Sequence, residues 1–443
     1  MRSLVFISNH RKGVFMFFFI RPLVVAAGLA LCICAQAAKP AKPASAPIAT
    51  GDTELAHNLG TFGETRLQAV VDRYNKENGG SMKLIRFEKG QKPAALNLVI
   101  RYDMADVLIQ PKKFLPLHDM MAKAGQALNV GELSADLKAG VLDAKGRLVA
   151  LPLVYSTPVL FFDKNALRKA KLDPEQPPRT WFEMQGMLDK LQTAGYACPY
   201  TSSWPVWVHI DNVSSLSGVP VMNAKGQLSF NGLPQVKHVA MLATWAKAGY
   251  FQNFGRRDEA SVKFRNGECA MITTDSREAV DFRDASGVDL GVALLPFHED
   301  IYGGRQHTLA DGASLWAGAG HSSINYKQAA SFVAWLLTPE MQAELVHSYG
   351  SLPLTAAARA AAKSKLLKSE DQTLQLAYQS IDGKGAQPGV RVANIDPLRI
   401  VADEELEAVW ANRKPAKSAL DTAVSRGNAV LAAKPGLKKA QPF

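Results

Sequence analysis

Two indoles three residues apart, Trp204 and Trp207, stand in the run TSSWPVWVHIDN with Ser202, Ser203 and Asn212 around them. Flat apolar rings amid hydroxyls can stack on the organic part of a ligand, and the same spacing also suits a pair of rings packed in a core. Small residues and hydroxyls recur at Ser156 and Thr157 in LPLVYSTPVLFFDK, at Ser276 after CAMITTD, and at Gly312, Ala313 and Ser314 in LADGASLWA. At strand ends, such neutral donors and their backbone N–H groups bind an anion without a buried counter-charge. Arg391 in VRVAN would add a bidentate guanidinium. The chemistry is that of binding.

Catalytic spacing is missing from the sequence. There is no G-x-S-x-G, H-E-x-x-H, P-loop or C-x-x-C, and the nine histidines are scattered. His209 and Asp211 read either as an acid–base pair or, preferably, as a core or surface histidine beside an unrelated acid. Asp403, Glu404, Glu405 and Glu407 read either as paired carboxylates or, preferably, as a solvated helix face. We expect no catalytic residue, no metal site and no cofactor.

The elements that must position these residues follow from periodicity. Leu151 to Lys164 predicts two short strands joined through Ser156, Thr157 and Pro158, a crossover of the kind that joins two lobes. Thr180 is placed to cap a helix starting at Trp181, with Glu183 three residues on. Before this crossover, residues 51–60 predict a short strand, Glu64–Asn78 an amphipathic helix, Met82–Phe87 a strand, Asp106–Ile109 another, and Leu117–Ala124 and Val130–Leu142 helices. After it, Pro234–Tyr250 predicts a long helix, Cys269–Thr274 a strand, Gly287–Pro296 a strand pair, Leu309–Ala317 a turn and strand, and Gln328–Leu337 and Pro339–Tyr349 two helices. Alternating helix and strand implies an α/β fold with ligand sites at strand ends. The chain beyond Gly427 is expected to be a partly disordered Ala/Lys/Pro tail.

A chain of 443 residues calls for at least two domains. Residues 1–38 hold Arg2, Arg11, Lys12 and Arg21, no acid, and the apolar run Pro22–Cys34 before Ala35-Gln36-Ala37, which predicts a cleaved secretory signal peptide and a periplasmic address. The n-region is unusually long, which leaves Met16 open as the start of translation. Bulky Leu31 and Ile33 before Cys32 and Cys34 favour release over lipid anchoring. The leader carries four of the eleven excess positive charges, and more of them lie between Arg413 and Lys439, so the folded body is mildly basic. That balance suits an anionic ligand or simply a solvated surface, and no basic stripe interleaved with aromatics argues for nucleic acid. Cys198 and Cys269 remain after the leader, either bonded or as two buried thiols.

The segments LPLVYSTPVLFFDKNALRKAKLDPEQPPRTW, SSWPVWVHIDN, FRNGECAMITT, GASLWA, SLPLT and RIVADEELEAVWANRK together resemble the glycerol-3-phosphate-binding branch of the family 1 extracellular solute-binding proteins. The resemblance covers residues 146–430. It implies a two-lobed Venus-flytrap fold with discontinuous lobes, residues 51–154 with 296–354 and residues 155–295 with 355–430, after a linker at 39–50 and before a basic tail at 431–443. It implies a monomer that closes on a phosphate ester and docks on the permease of an ABC importer. Residue by residue, Ser156 matches a phosphate-contacting serine, Gly312 a backbone phosphate donor and Arg391 the phosphate-binding arginine. Trp204 and Trp207 match the tryptophans beside the glycerol, and Ser276 lies in a Ser/Gly loop, where Asp275, Arg277 and Glu278 replace small residues. The first lobe departs from the pattern. Ala56-His57-Asn58-Leu59 stands for an aromatic loop, Lys92 and Ser351 for tyrosines, and the acid that holds the glycerol hydroxyls has no counterpart in the shortened stretch Pro93–Lys113. The departures leave open a diverged paralogue with a different anionic ligand or a sensor role.

Overall fold

The computed structural model describes residues 52–59, 61–87, 91–100, 111–143, 145–301, 306–364, 368–381 and 395–433. The leader, Arg391, the expected strand at 106–109 and residues 434–443 lie outside them. Two sheets carry the fold. The first contains β1 (Thr53–His57), β2 (Met82–Arg86), β3 (Leu96–Val99), β4 (Phe114–Leu115), β5 (Ala150–Ser156) and β11 (Asp311–Gly318). It runs β2-β1-β3-β11, and β11 pairs further with β4 and β5. The second contains β6 (Pro158–Asp163), β7 (Cys198–Ser202), β8 (Phe251–Gln252), β9 (Cys269–Asp275) and β10 (Leu290–Leu294), in the order β10-β6-β9-β7-β8.

A single residue, Thr157, separates β5 in one sheet from β6 in the other. Every residue of both strands is buried. The local sequence explains the break, because Pro158 has no N–H to give a ladder and therefore sits at a strand's first position. The longer helices are α1 (Thr61–Asn78), α2 (Leu117–Lys123), α3 (Lys164–Lys169), α4 (Trp181–Thr193), α5 (Leu233–Ala248), α6 (Glu259–Arg265), α7 (Ser323–Leu336), α8 (Pro339–Tyr349), α9 (Ala356–Lys363), α10 (Lys368–Ile381), α11 (Ile395–Trp410) and α12 (Ala416–Ala432). The start of α4 is the capping box expected from its sequence. The Thr180 hydroxyl accepts from the Glu183 N–H at 3.1 Å, and the Glu183 carboxylate accepts from the Thr180 N–H at 3.3 Å.

Leu55, Leu98, Leu151, Leu315 and Phe332 belong to the larger core, and Phe162, Trp181, Leu188, Tyr200, Trp245 and Met271 to a second one. Of the two readings for the cysteines, the bonded one holds. Cys198 and Cys269 face each other in register at the first residues of β7 and β9, Cα atoms 4.6 Å apart, and form a disulfide.

Several expectations need correction. Val130–Leu142 is not one helix but two 3₁₀ turns around the short helix Ala135–Lys138. Tertiary bonds divide it, since the Ser134 N–H donates to the Leu354 carbonyl and Leu133 bridges Thr355. Gly287–Pro296 supplies one strand, not a pair, because Gly287 turns the chain at φ +93° and Leu290–Leu294 pairs along β6. The chain past Gly427 remains helical to Ala432, held where Gly427 meets Leu228 and Leu398.

Candidate functional site

The crossover from β5 to β6 gathers the small polar residues. Ser156 lies opposite Asp311 in the ladder, and its hydroxyl donates to the Asp311 carbonyl at 3.4 Å. Gly312 lies opposite Tyr155, and a Cβ there would stand 1.9 Å from the Val154 carbonyl oxygen, so only glycine fits. The Gly312 N–H donates to Asp311 Oδ1 at 2.7 Å, and Asp311 Oδ2 accepts from Arg399 Nη2 at 3.3 Å. Asp311 and Arg399 are both about 5% exposed. The Gly312 N–H and the Arg399 guanidinium thus converge on a carboxylate that the protein itself supplies.

Thr157 ties the crossover to its surroundings. Its hydroxyl bonds the hydroxyls of Thr308 and Ser380. Its N–H donates to Ser276 Oγ at 3.4 Å, and the Ser276 N–H returns a bond to the Thr157 carbonyl at 2.9 Å. Ser276 also lines a cavity of about 20 Å³ with Gly350, Leu352 and Thr373. Its neighbour Asp275 is held by the Arg277 guanidinium at 2.7–3.0 Å.

Trp204 has φ +53°, a left-handed conformation that a bulky residue adopts only when the surroundings impose it. Its N–H donates to the Arg257 carbonyl at 2.8 Å. The chain then enters a π-helical turn, Trp207–Asn212, which the Asn212 amide fastens at both ends of its reach, donating to the Trp207 carbonyl at 2.9 Å and accepting from the Leu309 N–H at 2.7 Å. Both indoles are buried in the second core, Trp204 at 8% exposure and Trp207 at 1%. Ser156, Gly312 and Ser276 are therefore brought to one crossover, while Trp204 and Trp207 lie against the second sheet.

The acidic run on α11 is not the solvated face its composition suggests. Asp403 and Glu405 are buried. Glu405 accepts from Lys414 at 2.6 Å and Arg426 at 3.0 Å, and Glu407 takes a bidentate pair from Arg256 at 2.6 and 2.7 Å. Burial pushes the Asp403 carboxyl up to about 7, against the pull of Arg256 and Arg399. The signal available in the sequence was the four-residue interval Arg399, Asp403, Glu407, which puts one charged stripe on one helix face. Asp311, immediately before the expected Gly312, carried no such signal.

His209 is a core histidine within a chain of imidazoles. Its Nδ1 bonds His238 Nε2 at 3.0 Å, and His238 Nδ1 bonds His298 Nε2 at 3.1 Å. Tyr200 joins the far end, with its hydroxyl 3.5 Å from His209 Nε2 and 2.6 Å from Thr273 Oγ1. Burial lowers His209 to about 3 and His298 to about 4, with Lys237 adding to the effect at His298. Among the described residues, no cluster of His, Cys, Asp or Glu could hold a metal ion, and no helix is long and apolar enough to cross a membrane.

The family model described as bacterial extracellular solute-binding protein matches residues 69–371. The sn-glycerol-3-phosphate-binding periplasmic protein UgpB of Pectobacterium atrosepticum is 35% identical over 409 residues, covering 86% of this chain and 92% of that one. UgpB of Escherichia coli K12 is 34% identical over 376 residues, 82% of this chain and 85% of its own. Among solved structures, the cyclic α-maltosyl-1,6-maltose binding protein of Arthrobacter globiformis superposes with a TM-score of 0.70 at 18% identity, over 87% of this chain and all of that one. UgpB of Mycobacterium tuberculosis in complex with glycerophosphocholine superposes at 0.66 and 17%, over 87% and 99%. The shared fold is the two-lobed α/β architecture.

Proposed function

The chain belongs to the bacterial extracellular solute-binding proteins, and from that premise we propose that it captures sn-glycerol-3-phosphate or a glycerophosphodiester between two lobes and delivers it to an ABC permease in the inner membrane. It works in the periplasm, exported by the signal peptide at 1–38, as a monomeric binder without catalysis or cofactor and with no role on nucleic acid. The lobes expected at residues 51–154 with 296–354 and residues 155–295 with 355–430 are adjusted at the first crossing to Thr157, because β5 stays in the first sheet through Ser156. Ser156, Ser276, Gly312 and Arg391 take the phosphate, while Trp204 and Trp207 cover the organic group.

One observation carries the reading. The chain is 35% identical to the sn-glycerol-3-phosphate-binding UgpB of Pectobacterium atrosepticum over 86% of its length, and Ser156 and Gly312, which resemble that family's phosphate-contacting positions, lie side by side at the end of the β5–β11 ladder. Lys92 favours the second reading, a paralogue with a different anion. It replaces a family tyrosine, and its ammonium donates to the Gly320 carbonyl at 2.9 Å, so that position serves the fold.

Titration calorimetry of residues 39–443 with sn-glycerol-3-phosphate and glycerophosphocholine tests the proposal. We expect one-to-one binding, weakened in Arg391→Ala by about 2–5 kcal/mol as for a truncated charge-assisted pair. No heat with either ligand from a folded protein would end the proposal, and unchanged affinity in the variant would remove Arg391 from the site.

A further inference from the structure

On α11, Arg399, Asp403 and Glu407 follow at four-residue intervals and share one face. The two outer residues are anchored in different parts of the molecule. Arg399 reaches Asp311, beside Gly312 and opposite Ser156 in the first sheet. Glu407 clamps Arg256, next to Arg257, whose carbonyl receives the Trp204 N–H. Asp403 therefore stands between the residue that holds Asp311 beside Ser156 and Gly312 and the residue that holds the loop of Trp204. One helical turn separates it from Arg399, about 6 Å of rise, which is within the reach of a three-carbon ester.

Asp403 is 3% exposed, and its Oδ1 is sealed from solvent with no hydrogen-bond donor among the described residues. The neighbouring acids differ, because Glu404, Glu405 and Glu407 each hold a basic partner. A buried carboxylate oxygen left without a donor is costly, and the cost disappears when a hydroxyl donates to it. The raised carboxyl of Asp403 agrees with a group short of donors.

We propose that Asp403 accepts the hydroxyl hydrogen bonds of a polyol phosphate and thereby selects esters that carry free hydroxyls. The inference rests on the function proposed above. It makes α11 the element that spans the ligand, with the phosphate near Arg399 and the hydroxyls one turn further along.

The test compares two ligands, sn-glycerol-3-phosphate and ethyl phosphate, which has no hydroxyl, by calorimetry on wild type and Asp403→Asn. A hydrogen bond to a charged acceptor is worth enough to make the wild type prefer the glycerol ester by at least about tenfold. In Asp403→Asn that ratio falls towards one while ethyl phosphate binding stays the same. A wild type that binds both esters equally overturns the role of Asp403 and leaves the proposed function standing, as does a ratio unchanged in the variant. A wild type that binds neither ester nor glycerophosphocholine overturns the function itself, and one that binds glycerophosphocholine alone overturns the role of Asp403 only. Should the Asn variant fail to fold, Asp403→Glu keeps the charge and displaces the oxygen, and a ratio unaltered in that variant also overturns the proposal.

Discussion

Two buried polar clusters in this molecule solve the same problem in opposite ways. Along α11, Arg399 and Asp311 bring a charge pair out of water beside the crossover, buried Asp403 follows one turn on, and the half-exposed pair of Arg256 and Glu407 closes the row. In the second core, His209, His238, His298, Tyr200 and Thr273 form a hydrogen-bonded chain in which burial keeps the imidazoles neutral. A neutral chain whose members satisfy each other costs little to bury and gives a ligand no reason to enter. A charged cluster costs more and keeps its stability only while each partner is present. The difference lies in what each cluster loses when one member is removed.

The largest expected effect is in the charged cluster. Arg399→Ala should lower unfolding stability by about 3–5 kcal/mol in urea titration, because it strands the Asp311 carboxylate below the surface. A loss under 1 kcal/mol would show that the pair is not buried in solution.

The neutral cluster should respond to acid. An unfolded histidine binds its proton near pH 6.5, whereas His209 and His298 resist protonation down to about 3 and about 4. Below pH 6.5 the unfolded chain therefore takes up more protons, and stability falls as pH falls, by roughly 2 kcal/mol for each such imidazole at pH 5. The contribution is complete above pH 6.5. Urea midpoints at pH 7, 6 and 5 measure it, and a flat profile would mean that these imidazoles are solvated. The smallest effect is Tyr200→Phe, which removes the hydroxyl between Thr273 and His209 and should cost about 1 kcal/mol by the same titration. A loss as large as that of Arg399→Ala would erase the contrast between the clusters.

Local rules foretold most of the fold. The capping box at Thr180, the strand pair broken at Thr157 and the amphipathic helix ending at Asn78 all depend on residues close in sequence, and all are present. The failures lie where distant segments decide. Val130–Leu142 has a helical apolar pattern, yet its backbone is drawn off by Leu354 and Thr355. The acids of α11 look like a solvated face until the two anchors of that helix, Asp311 and Arg256, are known. Ser156, Ser276 and Gly312 stand at or beside strand ends, a placement their sequence neighbours foretell. The depth of Trp204 and Trp207 in the second core depends on a π-helical turn that no spacing rule announces, and Arg391 lies outside the described residues.

The disulfide has a consequence for the history of the molecule. Cys198 and Cys269 are 71 residues apart in the chain, and the loop they close contains Trp204, Trp207, α5 and α6. A thiol pair of this kind stays reduced in a glutathione-buffered cytosol and is oxidised beyond it. Protein held in the cytosol would therefore lack the cross-link that periplasmic protein carries, and the two forms would differ in thiol reactivity. Each copy thus records in one covalent bond the compartment in which it folded.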